Sequence, residues 1–330
     1  MTNSVLALGI FTGRILKVDP LTGVVEILTV RTGARPDGIV VVGDTIYWTT
    51  MGEPLARSEL GTGEAAEDYS RHNGGLHALA VDGRADCTPR DIVATGVITT
   101  GKQLTSDGTW LYWGDREGCR VTRARLDGSD LTDLVVNDRS RGILDQCVGV
   151  AVDTTAGYLY WSVKGPAKGG QGRILRAPLA LAPGESPKQR SDIEVLWDGL
   201  PEPIDLELWD GYLYWTDRGA PPAGNTLNRA PIPASGCRST PPEILADGFC
   251  EAIGLAIDHA AGWIHVSDLA GTLRHVPLPG GPAAGKEPRT HSLGEALTGL
   301  AVLGHAPLNV EDPDRTGSSC GAPVDLKILK

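Results

Sequence analysis

The sequence predicts an all-β protein, a six-bladed β-propeller with four strands in each blade. A short phrase containing Tyr-Trp returns along the chain at intervals of roughly 50 residues, which is the size of one blade. Its copies occupy residues 46–50, 111–115, 159–163 and 213–217, with a divergent copy at 264–268. Signals for helices are scarce, whereas 43 glycines and 23 prolines in 330 residues favour many short strands joined by turns.

Each repeat can be divided into four strands. An apolar run comes first, the Tyr-Trp strand follows, a third strand carries an Arg, and the fourth is short and apolar. The sixth blade is divided between the chain ends, because residues 5–30 supply three strands and residues 297–302 supply the missing first one. Their pairing closes the ring and leaves no free edge. We therefore expect a single propeller over residues 1–303, with an insertion or lid loop at about 52–74, and an irregular tail at 304–330.

The charge balance argues against several classes of partner. Lys and Arg number 30 against 41 Asp and Glu, which gives a formal net charge of −11. So acidic a surface disfavours nucleic acid and anionic membranes, and no apolar run approaches the ~18 residues of a membrane span. The first residues lack the features of a signal peptide and the six cysteines form no C-x-x-C pair, so we expect a cytoplasmic protein with reduced thiols. The sequence leaves the oligomeric state open.

The best-preserved copy of the phrase, Tyr214-Trp215-Thr216-Asp217, resembles the YWTD repeat of the low-density-lipoprotein-receptor propeller family. The resemblance extends over about residues 5–303. It implies that each Trp packs between blades and that the Asp of the repeat pairs with an Arg of a neighbouring blade. The residues that fit this implied pairing are Asp115, Asp217 and Asp268 with Arg123, Arg176, Arg229 and Arg274. His265 stands where the repeat has Tyr, and we expect it to be packed inside its blade.

Candidate functional residues lie where the first strand of each blade begins. In a propeller these strands line a central channel, and its mouth is the concave place where a small molecule would bind. A strand that only filled the core would show Val, Ile or Ala there, but this chain shows the polar residues Asp37, Lys102, Gln146, Glu202, Asp205, Glu251 and Thr298. The insertion adds Tyr69 and His72, and Trp110 adds aromatic surface. The alternative explanation is a solvated channel mouth without function.

The favoured function is that of a cofactor-free enzyme acting on a hydrophobic small molecule. The chain resembles fungal biosynthetic propellers that act on terpenoid–polyketide natural products, and this resemblance implies a cyclase or pericyclase of the hetero-Diels–Alder type. Such a reaction needs two apolar partners held together and a donor for the oxygen that gains electron density. We expect the donors to be Lys102, Gln146 and Thr298, with no metal or cofactor. The residues expected to bind the substrate are Asp37, Glu202, Asp205, Glu251, Tyr69, His72 and Trp110.

Two alternatives stay open at this point. Glu202, Asp205 and Glu251 offer oxygen ligands for Ca²⁺ or another divalent cation, as in propellers of the gluconolactonase type, where the metal polarises a lactone and activates water. Against this, Lys102 opens one of the six inner strands. The other alternative is a non-enzymatic propeller that grips a partner protein on one face, which large apolar patches around the mouth would favour.

Overall fold

The computed structural model describes residues 3–56, 67–81 and 88–304. In chain order the strands are β1 (Ser4–Gly9), β2 (Arg14–Val18), β3 (Val25–Thr29), β4 (Pro36–Val42), β5 (Thr45–Thr50), β6 (Leu55–Ala56), β7 (Glu67–Asp68), β8 (Gly74–Ala80), β9 (Arg90–Ile98), β10 (Gly101–Ser106), β11 (Trp110–Asp115), β12 (Arg120–Arg125) and β13 (Thr132–Val136). They continue with β14 (Cys147–Asp153), β15 (Tyr158–Val163), β16 (Gly172–Pro178), β17 (Glu194–Leu200), β18 (Pro203–Trp209), β19 (Tyr212–Asp217), β20 (Thr226–Pro231), β21 (Glu243–Ala246), β22 (Ala252–Asp258), β23 (Trp263–Asp268), β24 (Thr272–Pro277), β25 (Arg289–Ser292) and β26 (Leu297–Leu303).

Helical structure is sparse. A 3-10 segment spans Arg139–Asp145 and is interrupted at Gly142. Within the described residues no helix has the length and apolar character needed to cross a membrane. Two sequence-based expectations, the centre of the insertion (57–66) and the tail from residue 305, fall outside the described residues.

Six four-stranded antiparallel sheets surround a central channel. Blade 1 has the strand order β26-β1-β2-β3, blade 2 has β4-β5-β8-β9, and blades 3 to 6 take the strands from β10 to β25 four at a time. The inner strands β4, β10, β14, β18, β22 and β26 contact one another in a closed ring. In blade 1, β26 pairs with β1 from Ser4↔Leu303 to Gly9↔Leu297. The predicted six-bladed propeller with a shared closing blade is therefore confirmed.

Every inner strand carries a two-residue bulge near its start, where its pairing with the second strand shifts. The first bulged residues form a ring that we call the floor ring: Asp37, Lys102, Val148, Ile204, Ile253 and Thr298. The second bulged residue is Gly in four of the six blades. At Gly254, for example, a Cβ would overlap the backbone carbonyl of Thr298 in the next blade. Glycine thus lets neighbouring inner strands approach each other closely.

The tryptophans of the repeat pack between adjacent blades. Trp161 is fully buried in a cluster with Tyr112 and Val121 of blade 3. Trp215 is buried in the same way between blades 4 and 5, in a cluster with Tyr160. Burying an indole removes roughly 200 Å² of surface from water, which contributes about 5 kcal/mol before entropy costs. The role that the resemblance implies for these residues is confirmed.

The residue after the Trp position of the phrase joins its blade to the next one. The Oγ1 atom of Thr216 accepts the backbone N–H of Asp205 at 3.1 Å and donates to the carbonyl oxygen of Ile253 at 2.6 Å. We call such groups seam hydroxyls, and the same two kinds of bond are made by Thr49, Ser162 and Ser267. Blade 3 has Gly114 at this position, where a Cβ would lie 2.6 Å from the carbonyl oxygen of Val148.

The implied pairing of Asp with an Arg of a neighbouring blade is wrong for this chain. The carboxylate of Asp217 instead accepts hydrogen bonds from the backbone N–H groups of Glu202 and Gly219. The first of these bonds holds the chain at the start of β18, the inner strand of the same blade. The pairing register sets Arg229 opposite Tyr214, three residues away from Asp217. That separation is roughly 10 Å along a strand, so the Arg and the Asp lie at opposite ends of the blade. Backbone amides are held in the same way by Asp115 and Asp268.

Blade 6 replaces a cross-strand pair of the other blades with two histidines. In blades 3, 4 and 5 the Tyr of the second strand faces an Arg of the third, whereas in blade 6 His265 faces His275. Their Nδ1 atoms are 2.6 Å apart. Both side chains are buried, and neither Nε2 has a hydrogen-bond partner among the described residues. Burial lowers the pKa of His275 to about 4 and lowers the pKa of His265 well below its usual value. The pair is therefore neutral, and the expected packing of His265 is confirmed.

Candidate small-molecule site

A cavity of about 1130 Å³ opens at the end of the channel where the inner strands begin. Four of the six floor-ring residues line this cavity: Asp37, Lys102, Ile253 and Thr298. The walls come from loops between second and third strands and from loops that precede inner strands. A cavity of this size accommodates a drug-sized organic molecule.

The floor ring is polar on one half and apolar on the other. The polar half comes from the adjacent strands β26, β4 and β10 and consists of Thr298, Asp37 and Lys102. The apolar half comes from β14, β18 and β22 and consists of Val148, Ile204 and Ile253, which form one cluster. All three residues of the polar half line the cavity, whereas the apolar half lines it with Ile253.

The floor differs from the sequence-based expectation in three blades. The chain places Val148 where Gln146 was expected, and Gln146 follows the 3-10 segment without lining the cavity. Ile204 stands between the predicted Glu202 and Asp205, and Ile253 stands two residues beyond the predicted Glu251. The turn between the first and second strands is longer in blades 4 and 6 than in the others, so counting back from the Tyr-Trp phrase gave the wrong residue there. In blade 5 the two predicted residues flank the correct one.

Lys102 is the cationic residue of the polar half, and its position is fixed by its neighbours. Its ammonium forms a close ion pair with Asp37 and lies 3.4 Å from Sδ of Met51. Gln103 donates from Nε2 to the other carboxylate oxygen of Asp37 at 3.0 Å, which fixes that carboxylate. Thr298 donates its hydroxyl proton to a backbone carbonyl, that of Pro36, at 2.8 Å. Of the three predicted donors, only Lys102 therefore presents N–H groups on the lining of the cavity.

Glu202 organises the wall on blades 4 and 5. It is 1% exposed and accepts hydrogen bonds from Arg218 Nε at 2.8 Å, Lys164 Nζ at 3.3 Å and the backbone N–H of Lys168 at 2.9 Å. Glu251 lies 3.5 Å from the ammonium of Lys168 and 3.9 Å from Arg218. Each carboxylate of this wall is thus paired with cations.

Three residues of the same wall hold a left-handed backbone: Lys168 (φ 54°), Asn225 (φ 56°) and Glu251 (φ 60°). The side-chain oxygen of Asn225 accepts the N–H of Glu251 at 2.9 Å, which helps to hold the loop in this conformation. A left-handed residue other than Gly costs roughly 1–3 kcal/mol, and such strain gathers at ligand sites. The strain supports a binding role for this wall.

The described part of the insertion contributes an aromatic wall. Tyr69 lines the cavity together with Glu67, and its hydroxyl donates to a Glu67 carboxylate oxygen at 2.6 Å. The guanidinium of Arg116 lies over the Tyr69 ring, 5.2 Å from its centroid, and also lines the cavity. Burial and the hydrogen bond to Glu67 raise the pKa of Tyr69, so the phenol stays protonated. Glu67 is also paired with Arg35 at 2.8 Å.

Two predicted substrate-binding residues lie away from the cavity. The Nδ1 atom of His72 is 3.2 Å from the hydroxyl of Thr99, outside the lining. Trp110 begins β11 at the opposite end of its blade, between the guanidinium groups of Arg123 and Arg125 at 4.1 and 3.9 Å from the ring centroid.

Asp205 faces the interior of the channel, below the floor ring. Its carboxylate accepts the backbone N–H groups of Leu206 and Leu255 at 2.9 Å each. Burial raises its pKa to about 8. With Glu207, it lines a smaller cavity of about 240 Å³ at the other end of the channel.

The metal-site alternative does not fit this geometry. Within the parts of the chain that the structure describes, no group of three or more His, Cys, Asp or Glu side chains is placed to hold a metal ion. Glu202 is neutralised by two cations, Asp205 accepts two backbone amides inside the channel, and Glu251 lies on the rim. Glu202 and Glu251 both contact Arg218 and Lys168, whereas Asp205 lies apart from them below the floor ring.

The apolar wall was missed by the sequence reasoning. It consists of loop residues of blades 1 and 6 and of the loop before β22: Ile10, Phe11, Phe249, Leu269 and Ala270. Apolar residues in loops follow no period, so strand patterns do not reveal them. One signal was available, because the chain contains two phenylalanines, both outside the predicted strands, and both line the cavity.

The fold and the site define a six-bladed propeller of the YWTD-repeat type with an amphipathic cavity at one mouth of its channel. The chain is 40% identical over 290 residues to a Pyricularia oryzae protein named low-density lipoprotein receptor-related protein 1, covering 82% of this chain and 86% of that one. It belongs to the family of this fungal protein. It is also 37% identical over 264 residues to the 3-hydroxyacyl-CoA dehydrogenase-like protein LAM1 of Cochliobolus heterostrophus. That match covers 74% of this chain and about half, 52%, of the relative. No protein-family model matches.

Solved structures share the fold at low sequence identity. A chain of a nidogen–laminin complex superposes with a TM-score of 0.63 at 14% identity, covering 91% of this chain and 98% of that one. A Bacteroides uniformis structure assigned as a 6-phosphogluconolactonase gives 0.53 at 12% identity, with 90% and 83% covered. The calcium-binding protein regucalcin of Agrobacterium tumefaciens gives 0.53 at 18% identity, with 82% and 78% covered. These likenesses show the fold alone.

Proposed function

We propose that this propeller is a cofactor-independent enzyme that cyclises a natural-product intermediate in the mouth cavity, by a hetero-Diels–Alder type of reaction. The observation that carries the proposal is the divided lining of a cavity of about 1130 Å³, with Lys102 and Asp37 on one side and Ile253, Phe249 and Leu269 on the other. The relative LAM1, which carries a dehydrogenase-like name, adds support at the level of an enzyme.

The chemistry of the reaction suits such a floor. In a hetero-Diels–Alder reaction one C–C and one C–O bond form while three π bonds become one, so no atom leaves and neither nucleophile nor base is needed. The apolar half would hold the alkene against the conjugated carbonyl partner, which removes much of the entropic part of the barrier. The ammonium of Lys102 would donate to the carbonyl oxygen as its electron density rises.

The pairing of Lys102 with Asp37 serves this role. An ion pair fixed by Gln103 keeps the ammonium in one place before the substrate arrives. A donor that is already oriented needs no reorganisation when charge develops in the transition state. We assign Lys102 as the catalytic donor and Asp37 as its positioning residue.

Lys102→Met tests the assignment. The purified protein is incubated with a quinone methide, generated in the buffer, and a macrocyclic sesquiterpene alkene, and the adduct is followed by chiral chromatography. Loss of one such donor lowers the rate by about 10²-fold, while the apolar floor stays intact. Lys17→Met, a surface lysine paired with Glu26, is the matched control and keeps wild-type turnover. A racemic adduct formed by the wild type at the buffer rate would refute the proposed cyclase.

A further inference from the structure

We infer that the mouth cavity selects an uncharged amphipathic molecule and rejects anions such as phosphorylated or sulfonated compounds. This inference rests on the proposed function, because it concerns the same cavity, and it adds the class of molecule that can enter. It is carried by the charge balance of the lining, by the burial of its ion pairs and by the arrangement of its apolar residues.

The described lining contains equal numbers of opposite charges. Its cations are Lys102, Arg116, Lys168 and Arg218. Its carboxylates are Asp37, Glu67, Glu202 and Glu251. An anion that enters therefore meets as many like charges as opposite ones. Anion sites in proteins differ from this, since they gather donors and cations around the ligand without competing carboxylates.

The carboxylates deepest in the cavity cannot give up their cations without loss. Asp37 and Glu202 are each 1% exposed, and Glu202 accepts hydrogen bonds from two cations. An anionic ligand that took Lys102 for itself would leave the buried carboxylate of Asp37 without its cation, and one that took Arg218 would remove one of the two cations of Glu202. Breaking a buried pair in this way is strongly unfavourable. The net charge of −11 also repels anions from the whole molecule.

The apolar residues form one side of the cavity. Ile253 of the floor ring clusters with Leu269, and Phe249 precedes the same inner strand. Ile10 and Phe11 come from the neighbouring blade 1. The charged residues lie mainly on blades 2 to 5. A molecule with an apolar body and a polar but uncharged end therefore matches the cavity on both sides.

Two fluorescent probes with the same aromatic body show whether the cavity prefers an uncharged or an anionic ligand. N-phenyl-1-naphthylamine is uncharged, and 8-anilinonaphthalene-1-sulfonate is the same molecule with one sulfonate added. Titrating each into the full chain, we expect one bound N-phenyl-1-naphthylamine per protein and an affinity for the sulfonate that is lower by about tenfold or more. Ala270→Trp, which narrows the mouth, abolishes binding of the uncharged probe. Ala260→Trp on the exposed β22–β23 turn leaves it unchanged.

Glu251→Gln then tests the charge argument directly. Glu251 lies on the rim with 38% of its side chain exposed, so the substitution leaves the fold intact. Removing one negative charge strengthens sulfonate binding by about three- to fivefold and changes binding of the uncharged probe less than twofold. Glu243→Gln, on the outer strand β21, changes neither probe.

Three results would overturn the inference: equal or tighter binding of the sulfonate by the wild type, no response of either probe to Glu251→Gln, or no binding of either probe. These experiments distinguish failure of the inferred selectivity from failure of the proposed function. If the probes behave as expected but no cyclisation occurs, the selectivity stands and the cyclase does not. If the chain turns over an anionic substrate, it is an enzyme and the inferred selectivity is wrong.

Discussion

Replacing His265 by Phe and His275 by Leu should reduce the loss of stability that this buried pair causes when the pH falls from 8 to 5. The two rings share one hydrogen bond between their Nδ1 atoms, and both Nε2 atoms are buried without a partner among the described residues. Removing both members of a buried polar pair, with side chains of similar shape, is close to neutral for stability. A Phe fits at position 265, because the other repeats carry Tyr there.

The magnitude follows from the pKa values. The pKa of His275 is about 4 in the folded chain against 6.5 in the unfolded chain, because burial disfavours the charged ring and the positive field of His291 and Arg289 adds to it. Above pH 6.5 both states are neutral and nothing is lost. As the pH falls below 6.5, His275 becomes protonated in the unfolded chain but stays neutral in the folded chain, which favours unfolding. The wild type therefore loses about 2 kcal/mol by pH 5 and roughly 3 kcal/mol below pH 4 through this one ring.

Urea unfolding followed by tryptophan fluorescence at pH 8, 6.5 and 5 measures the effect. The double variant should lose at least about 2 kcal/mol less than the wild type between pH 8 and pH 5. His259→Asn removes an exposed histidine that stacks on Trp209 and should retain the wild-type pH dependence. An unchanged pH dependence in the double variant would show that the pair is not the group that titrates.

Two further substitutions test the joints between blades. Thr216→Val keeps the shape of the side chain but leaves the N–H of Asp205 and the carbonyl of Ile253 without their partner. The free energy of unfolding should therefore fall by roughly 2–4 kcal/mol. A fall of less than about 0.5 kcal/mol would contradict the role of the seam hydroxyl. Gly149→Ala places a methyl group onto the carbonyl oxygen of Ile204, so thermal unfolding should show that the free energy of unfolding falls by about 2–4 kcal/mol. Gly43→Ala is the control, since nothing lies within 4 Å of its Cβ and only backbone strain is added.

The fold was predictable because a repeated phrase fixes both the number of blades and the strand order. Tyr-Trp strands recur where each second strand lies, and the divided closing blade followed from the unpaired apolar runs near the two ends. The Asp–Arg pairing between neighbouring blades was wrong because residue types alone do not state at which end of a blade each side chain lies. Arg229 and Asp217 belong to paired strands, yet they lie three residues apart along them.

The site was predictable only in part. Asp37, Lys102 and Thr298 were placed correctly on the floor ring, since the bulge leaves them at the start of their strands. Longer turns between the first and second strands displaced the prediction in blades 4 and 6, and in blade 5 the predicted Glu202 and Asp205 lie on either side of the apolar floor residue. Glu202 lies just before its inner strand and does line the cavity. Its carboxylate accepts hydrogen bonds from side chains of other loops, such as Arg218, and no sequence pattern predicts these bonds.

The seam hydroxyls have a consequence for motion. They join four of the six neighbouring pairs of blades, and Thr298 links blade 1 to Pro36 of blade 2. At the remaining joint, between blades 3 and 4, Gly114 offers no hydroxyl. The inner strands that carry Lys102 and Val148 are thus joined without a hydroxyl bridge, and the polar and apolar halves of the floor meet along the same line. A ligand lying across that line would contact both sides of this joint, and we expect its binding to reduce the motion of blade 3 relative to blade 4.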